Sequence, residues 1–547
     1  MSVRGLLVTY AGYPFSPTNF LPDNGLAILA GVLKEAGYEV KILDYNTPSI
    51  IRRLYPEKIS TLLEPIIKKI LKNEGKLTLK EKILLSCCEK RLEYYQEKVP
   101  YEIGKEICEI IEKEKIDFVG LKLWNGDGFT GSLAIANVIK KKFPHFPIFA
   151  GGPHVDIFRE YIFKATRDFD ALVYGEGEES IVMLAEYVEG KRKLEEIPNL
   201  IYKKNGKITV TPIKRVENLD ELPFPLYDEE VYPSMKADNE KIKMIVIDDS
   251  RGCNHKCHFC IHPVKSGRLR IKSPERMVRE LEEMRRKYGI KIFRYAGSST
   301  PTKILGKIAR LIIQRGLDIE YTTFGHVKGA NLEDFKALKE SGCYAVFFGV
   351  ESGSQRILSE IMNKGVKVEE IKKALSLAKK AGLFVAGSLI YPSPTENEET
   401  KKETLKLLRE TRPNSAPVQF PLICPQTEWA KNPSKYGFDV NERVFMDVAM
   451  RYKIKFLFPP RFWKPFPYRI SGKPFSTYVR ESEEFIREVE SLGILTTISD
   501  EMALLAKCAG LSVRDFREKY RLYSLIGDHE KIRSEFVQKI NHYSVSS

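Results

Sequence analysis

The chain has 547 residues, of which 43% are hydrophobic and 29% charged, an ordinary soluble composition on a chain too long for one core. No apolar run reaches the length of a membrane span, Met1–Tyr10 lacks a signal-peptide layout, and nine cysteines in so long a chain exclude a secreted disulfide framework, so the cytoplasm is the default location. The formal charge of +15 is spread over faces where Lys and Arg alternate with Glu, as in RESEEFIREVE, which reads as solvated helix surface, and nucleic acid is not expected as a partner.

Along the chain, GLLVTYA is a buried-strand run, and GLAILAGVLKEAGYEVKILD predicts a helix ending near Gly37 and a second strand. Residues 50–115 are charged and helical without strand signals, which reads as an insertion. Alternation then resumes with DFVGLKLW, SLAIANVIKKKFP, PIFAGGPH and DALVYGEGEES. Strands alternating with helices predict a parallel, doubly wound, Rossmann-like α/β sheet over residues 1–190. Its ligand loops would be Trp124–Phe129, Gly151–His154 and Gly175–Glu178, at the carboxyl ends of the strands. Residues 191–240 hold short strands and the proline-rich ELPFPLYD, and read as a linker. Six further βα segments from KMIVIDDS to APVQFPLIC predict a partial or full βα barrel over 241–435, and 436–547 reads as mostly helical. The exception there is the aromatic and cationic WKPFPYRISGKPF, which suits a lid on the barrel or a peripheral membrane contact.

RGCNHKCHFC carries the chemistry. Cys253, Cys257 and Cys260 fall within eight residues, directly after the first strand of the barrel series and hence at its catalytic end. Structural zinc takes four ligands in two separated pairs, and no second cysteine pair follows; a histidine (His255, His258 or His262) could still complete a zinc site. Three thiolates on a 4Fe-4S cluster instead leave one iron open to a substrate, and Phe259 beside the last cysteine would shield it. Cys87, Cys88, Cys108, Cys343, Cys424 and Cys508 are scattered, which is the pattern of inert packing.

The CxxxCxxC on the loop after the first barrel strand resembles the hallmark of the radical SAM superfamily. The resemblance implies a 4Fe-4S cluster on Cys253, Cys257 and Cys260 whose open iron is chelated by S-adenosylmethionine, which is then cleaved reductively to a 5'-deoxyadenosyl radical. GVESGSQRILSEIMNKG at 349–365 is similar to the fourth-strand segment of that family, where Glu351 and Ser352 would contact the ribose. AGSLIYPSPTENEET at 386–400 resembles the fifth-strand segment, where backbone from Ser388 to Ile390 would meet the adenine edge. After the second strand the family often has Gly-Gly-Glu; here Ala296, Gly297, Ser298 and Ser299 stand without a carboxylate, so Gly297, Ser298 and neighbouring backbone are the expected contacts to the methionine amine. Tyr391–Pro394 also replaces the glycines usual after the fifth strand.

The first domain resembles the cobalamin-binding domains that precede many radical SAM barrels, through LPDNGLAILAGVLKEAGYEV, DFVGLKLWNGD, FAGGPH and YGEGE. Glycine-rich strand ends let backbone approach a large planar ligand. The resemblance implies cobalamin contacts from Trp124, Asn125, Gly126, Asp127, Gly151, Gly152, Gly175, Glu176 and Gly177. There is no Asp-x-His-x-x-Gly motif, and His154 reads as structural, so base-off cobalamin without a histidine ligand is expected.

The implied activity is a cobalamin-dependent C-methyltransferase acting on an unactivated carbon of a peptide, lipid or small molecule, reduced by an external donor such as ferredoxin or flavodoxin. A cyclase or carbon–carbon bond-forming enzyme of the same layout, acting on a bulky or lipid-like substrate, is the alternative; a zinc-stapled nucleic-acid-binding protein is a third reading. Tyr295 and Cys424, at strand ends, are the candidates for handling a radical.

Overall fold

The structure is a computed structural model that describes residues 2–71, 77–236, 240–297, 299–453 and 460–545. In the first domain, β1 (Arg4–Thr9), β2 (Glu39–Asp44), β3 (Phe118–Lys122), β4 (Ile148–Gly151) and β5 (Ala171–Val173) form one parallel sheet in the order β2-β1-β3-β4-β5. Two antiparallel strands, β6 (Leu200–Lys204) and β7 (Lys207–Val210), extend it at the β5 edge. The stretch expected as a linker therefore begins as part of the first domain. Its short alternating runs lacked the βα rhythm that marked the other strands.

Strand residues alternate between two cores. Leu7, Phe118 and Phe149 face the helices Asn24–Glu35 and Glu178–Val188, whereas Leu6, Val8, Val119 and Leu121 face the opposite layer. That second layer contains the helix Leu79–Glu114, within the stretch read as an insertion. Its described residues are indeed largely helical, but Val99, Ile103, Ile107 and Ile111 are buried against the sheet layer, so its second half is the crossover from β2 to β3. A charged exposed face concealed that role in the sequence.

The second domain is a six-stranded parallel sheet with strictly sequential order: β8 (Ile245–Ile247), β11 (Ile292–Tyr295), β12 (Glu320–Phe324), β13 (Cys343–Glu351), β14 (Phe384–Ile390) and β15 (Val418–Gln419). Between β8 and β11 lies a separate two-stranded ribbon, β9 (Ser250–Arg251) with β10 (Arg270–Ile271). This is a partial βα barrel, open between its first and last strands. Phe293 and Tyr295 pack with Met277, Leu281 and Leu305 on the helix side. On the other face lies the helix Asp500–Cys508 from the C-terminal region, set against β12, β13 and β14. Its Asp500 is fully buried and faces Arg294 of β11 at 3.4 Å, so the cation carried by that inner face is neutralised by the C-terminal helix. Further C-terminal helices reach back to the first domain, where the Tyr55 hydroxyl donates to Leu525 O at 2.8 Å and Arg533 Nη2 donates to Ser49 Oγ at 3.2 Å. Among the described residues no helix is long and apolar enough to cross a membrane.

Candidate active site

The cysteine loop spans residues 252–269 and is pinched at its base by the β9–β10 ribbon. Gly252 makes that pinch sterically feasible: its φ is +79°, and a Cβ there would lie 2.1 Å from the Arg268 carbonyl oxygen. Inside the loop Cys253 N donates to Gly267 O (3.0 Å), Cys260 N to Cys257 O (3.1 Å) and His258 N to Met362 O (2.8 Å). All three cysteines are half-buried. Burial pushes the Cys257 thiol up to about 11, partly countered by Lys364, and burial also raises Cys260. Three soft sulfur donors on one loop, each within the electrostatic reach of another, suit an iron–sulfur cluster, whose binding would displace the thiol protons. Among the described residues no three His, Cys, Asp or Glu side chains converge at the spacing of a single metal ion. The histidines serve the loop: the His258 ring nitrogen sits 3.1 Å from Ile361 O, and His255 stacks on His326 with ring centres 4.5 Å apart.

β13 ends at Glu351, a non-glycine residue at φ +65°, where its register with β14 shifts. The Glu351 carboxylate meets Lys364 Nζ at 3.1 Å and accepts from the Ser388 hydroxyl at 3.4 Å. Gly349 underlies this pair; a Cβ there would stand 2.5 Å from Glu351 Oε1 and 3.2 Å from Lys364 Nζ. Ser352 is buried and its hydroxyl accepts from Ser354 N (3.1 Å). Ile390 ends β14, its carbonyl accepting from the Ser393 hydroxyl at 2.8 Å. The Phe259 ring packs on Trp429 with centres 5.6 Å apart, and Trp429 N donates to His258 O at 3.0 Å. Thus the segment after β15 braces the outside of the cysteine loop.

Ser298 lies outside the described residues. Around Gly297, however, a carboxylate does stand, and it comes from the segment after another strand. Asp249, which follows β8, accepts from Gly297 N and from the Thr300 hydroxyl, each at 2.5 Å, while 1% exposed. Burial raises its pKa to about 6 despite those bonds. Sequence reading missed it because it sought the acid after β11.

A cavity of about 340 Å3 lies between the two domains. From the first domain it is lined by Gly151, Gly152, Gly175, Glu176 and Gly177, by Gly120 and Lys122 of β3, and by an apolar wall that includes Phe149 and Leu29. From the barrel side come Asp248, Ser250–Gly252, His262, Lys265, Ser266 and Ala296, the root and outer turn of the cysteine loop. Two buried ion pairs cross the same boundary: Arg270 to Glu176 at 2.5 Å and Arg251 to Glu178 at 2.7 Å. Glu176 is therefore occupied as a clamp, since it also accepts from Val216 N at 2.7 Å.

The other expected cobalamin contacts do not line this cavity. Trp124 Nε1 donates to Thr9 Oγ1 at 2.9 Å, Gly126 abuts Tyr452 and Lys453, and Asp127 pairs with Lys453. With Asn125, they form a loop that carries the C-terminal segment instead. His154 is sandwiched between Phe129 and Phe158 (4.3 and 4.6 Å), and burial lowers its pKa to about 3, so it is a neutral packing residue.

Of the two candidates for radical handling, Tyr295 is fully buried and stacked on Tyr321 at 4.5 Å on the helix side of the sheet. Strand alternation turned it away from the face where Arg294 stands, which strand-end position alone did not reveal. Cys424 is half-buried; burial and then Cys260 push its thiol up to about 12, so it shares the surroundings of the cysteine loop. Cys88, Cys108, Cys343 and Cys508 are buried packing residues, and Cys87 is exposed.

The chain is similar to known proteins in both domains. Residues 247–408 match the radical SAM superfamily and residues 82–185 the B12 binding domain. An uncharacterized methyltransferase of Pyrococcus horikoshii is 35% identical over 314 residues, covering 56% of this chain and 66% of the relative. The anaerobic magnesium-protoporphyrin IX monomethyl ester cyclase of Rubrivivax gelatinosus is 26% identical over 51% of this chain and 52% of its own length. The chain thus spans about half to two thirds of the curated relatives it matches. Among solved structures, the radical S-adenosylmethionine methyltransferase TsrM of Kitasatospora setae, with cobalamin and a [4Fe-4S] cluster bound, has the same fold, with a TM-score of 0.62, 14% identity, and coverage of 96% of this chain and 99% of that one.

Proposed function

For this chain, which belongs to the radical SAM superfamily and carries a B12-binding domain ahead of its barrel, with a 4Fe-4S cluster, S-adenosylmethionine and cobalamin as its cofactors, we propose a methyltransferase that delivers a methyl group to an unactivated carbon. The observation that carries this reading is the cavity walled by the glycine-rich strand ends of one domain and the root of the cysteine loop of the other. Such a wall serves a reaction in which a radical site and a methyl carrier face one substrate. When bound, these cofactors supply a source of carbon radicals and a carrier for the methyl group.

The chain's own residues bind and orient. Cys253, Cys257 and Cys260 would hold the cluster; Glu351, Ser352, Ser388, the Ile390 backbone and the Gly297 loop would hold S-adenosylmethionine. Gly151, Gly152, Gly175 and Gly177 let backbone approach the corrin, while Phe149, Leu26, Leu29 and Ile181 exclude water from the slot between sheet and helices. Gly120→Val places a branched side chain on this wall from an ordinary strand backbone. It is expected to lower cobalamin retention on gel filtration at least about tenfold, with an unchanged far-ultraviolet circular dichroism spectrum.

Asp249 supplies, once ionised, the negative charge that the second-strand loop lacks; protonated, it still accepts from Gly297 N through its carbonyl oxygen. Its pKa in the fold, about 6, is above the ordinary carboxylate value. Its contribution to stability is therefore fully present below about pH 4 and falls as pH rises through about 6. Binding of a cationic amine runs in the opposite sense. S-adenosylmethionine affinity is expected to rise as pH rises through about 6, and Asp249→Asn to flatten that rise; calorimetric titration across this range reads both.

The likeness to a ring-forming ester cyclase supports a second reading, a cyclase or carbon–carbon bond-forming enzyme on a bulky substrate. Incubating anaerobically reconstituted protein with methyl-labelled S-adenosylmethionine, a low-potential donor of ferredoxin or flavodoxin type and cell extract separates the two. Label on carbon in a product found by mass spectrometry supports methyl transfer and identifies the acceptor. Formation of 5'-deoxyadenosine with no methylated product favours the second reading.

A further inference from the structure

Lys364 is a cation that neither the cysteine motif nor the expected S-adenosylmethionine contacts account for. It sits in the turn after the 357–361 helical segment, with its side chain only 14% exposed. Its ammonium is 3.1 Å from the Glu351 carboxylate and 6.0 Å from the centre of the Phe259 ring, which belongs to the cysteine loop. Burial opposes its charge, but Glu351 and the thiols of Cys257 and Cys260 more than offset burial, so the amine stays protonated. The absence of a side chain at Gly349 leaves the room in which it stands.

A buried positive charge beside a cluster favours the form that carries one more electron, because net charge and burial set cluster potentials. We propose that Lys364 is a built-in counter-cation that tunes the cluster, held in place by Glu351, and that it eases the one-electron reduction from the 2+ to the 1+ state by an external iron–sulfur or flavin donor. The inference rests on Cys253, Cys257 and Cys260 holding the cluster. It makes Lys364 a positioning and tuning residue, since its charge acts through the cluster without touching substrate.

The test is the midpoint potential of the reconstituted full-length protein without S-adenosylmethionine, from a dithionite titration followed by electron paramagnetic resonance. Iron and sulfide content are measured first. Lys364→Met is expected to keep full iron and sulfide and to shift the midpoint to more negative values. Lys364→Arg should restore it, and Glu351→Gln should shift it the other way, because one negative charge is removed. Unchanged midpoints in Lys364→Met and Glu351→Gln at full cluster content would overturn the proposal, as would a loss of S-adenosylmethionine affinity in Lys364→Met with the potential unmoved. If Lys364→Met loses iron, Glu351→Gln decides: an absent shift or a shift to more negative values overturns it. A wild-type protein unable to hold four irons refutes instead the ligand assignment beneath it.

Discussion

Cys257→Ala is expected to emerge from anaerobic purification without the brown colour of the wild-type protein, with iron and sulfide far below four per chain. The loop backbone is held by Cys253 N donating to Gly267 O and Cys260 N donating to Cys257 O, so the substitution removes a thiolate from a loop fixed at both sides. Cys424 shares these surroundings, but it follows β15 on a segment tied to the first domain through Gln426 Nε2, which donates to Asp156 O at 2.7 Å. Cleavage of S-adenosylmethionine, read as 5'-deoxyadenosine, should fall more than about 100-fold, since even residues that merely support metal ligands cost 10–100-fold. Retention of colour and cleavage in Cys257→Ala would move the ligand set elsewhere. A colourless wild-type protein with one tightly held zinc would restore the zinc reading.

Arg270→Ala should be the most damaging substitution outside the cysteines. Arg270 and Glu176 are 5% and 9% exposed at their side chains, and they join the base of the cysteine loop to the strand end of the first domain. Removing the guanidinium leaves a carboxylate buried between two domains without its cation, a loss of about 3–5 kcal/mol. Because the chain has more than one domain, a single unfolding transition is not a safe measure. Hydrogen exchange over residues 250–271 and 175–178 reads the effect directly and should show loss of protection in both segments. Cobalamin retention should fall with it, because Glu176 and the loop root are two walls of one cavity. The double variant Arg270→Met, Glu176→Gln removes both charges while keeping an acceptor for Val216 N, so most of the lost protection should return. If the single variant is as protected as the wild type, the clamp is not what holds the domains in register.

The βα rhythm, the two sheets and the cysteine loop at the mouth of the second were legible because each depends on local pattern: strand periodicity, glycine at strand ends, and three thiols within eight residues. Motif position singled out Glu351, Ser352 and Ser388 as expected ligand contacts, and the structure places the Ser388 hydroxyl 3.4 Å from the Glu351 carboxylate. The stretch 191–240 misled because β6 and β7 join the sheet as an antiparallel edge, outside the alternation that identified the rest. Trp124–Asp127 misled for another reason: the loop is at the carboxyl end of the sheet as expected, but its contacts go to Thr9 and to Tyr452–Lys453.

The chain by itself determined which chemistry is carried and where it begins, because a cluster-binding loop is a short-range object whose ligands are neighbours in sequence. Tertiary structure alone decided what surrounds that loop. Arg270 reaches Glu176 across 94 residues, Asp249 accepts from Gly297 N 48 residues later, and Tyr295 is turned to the helix side. Each of these is a question of which face a side chain takes and what it meets there. Those are properties of packing between elements, and no local spacing encodes them.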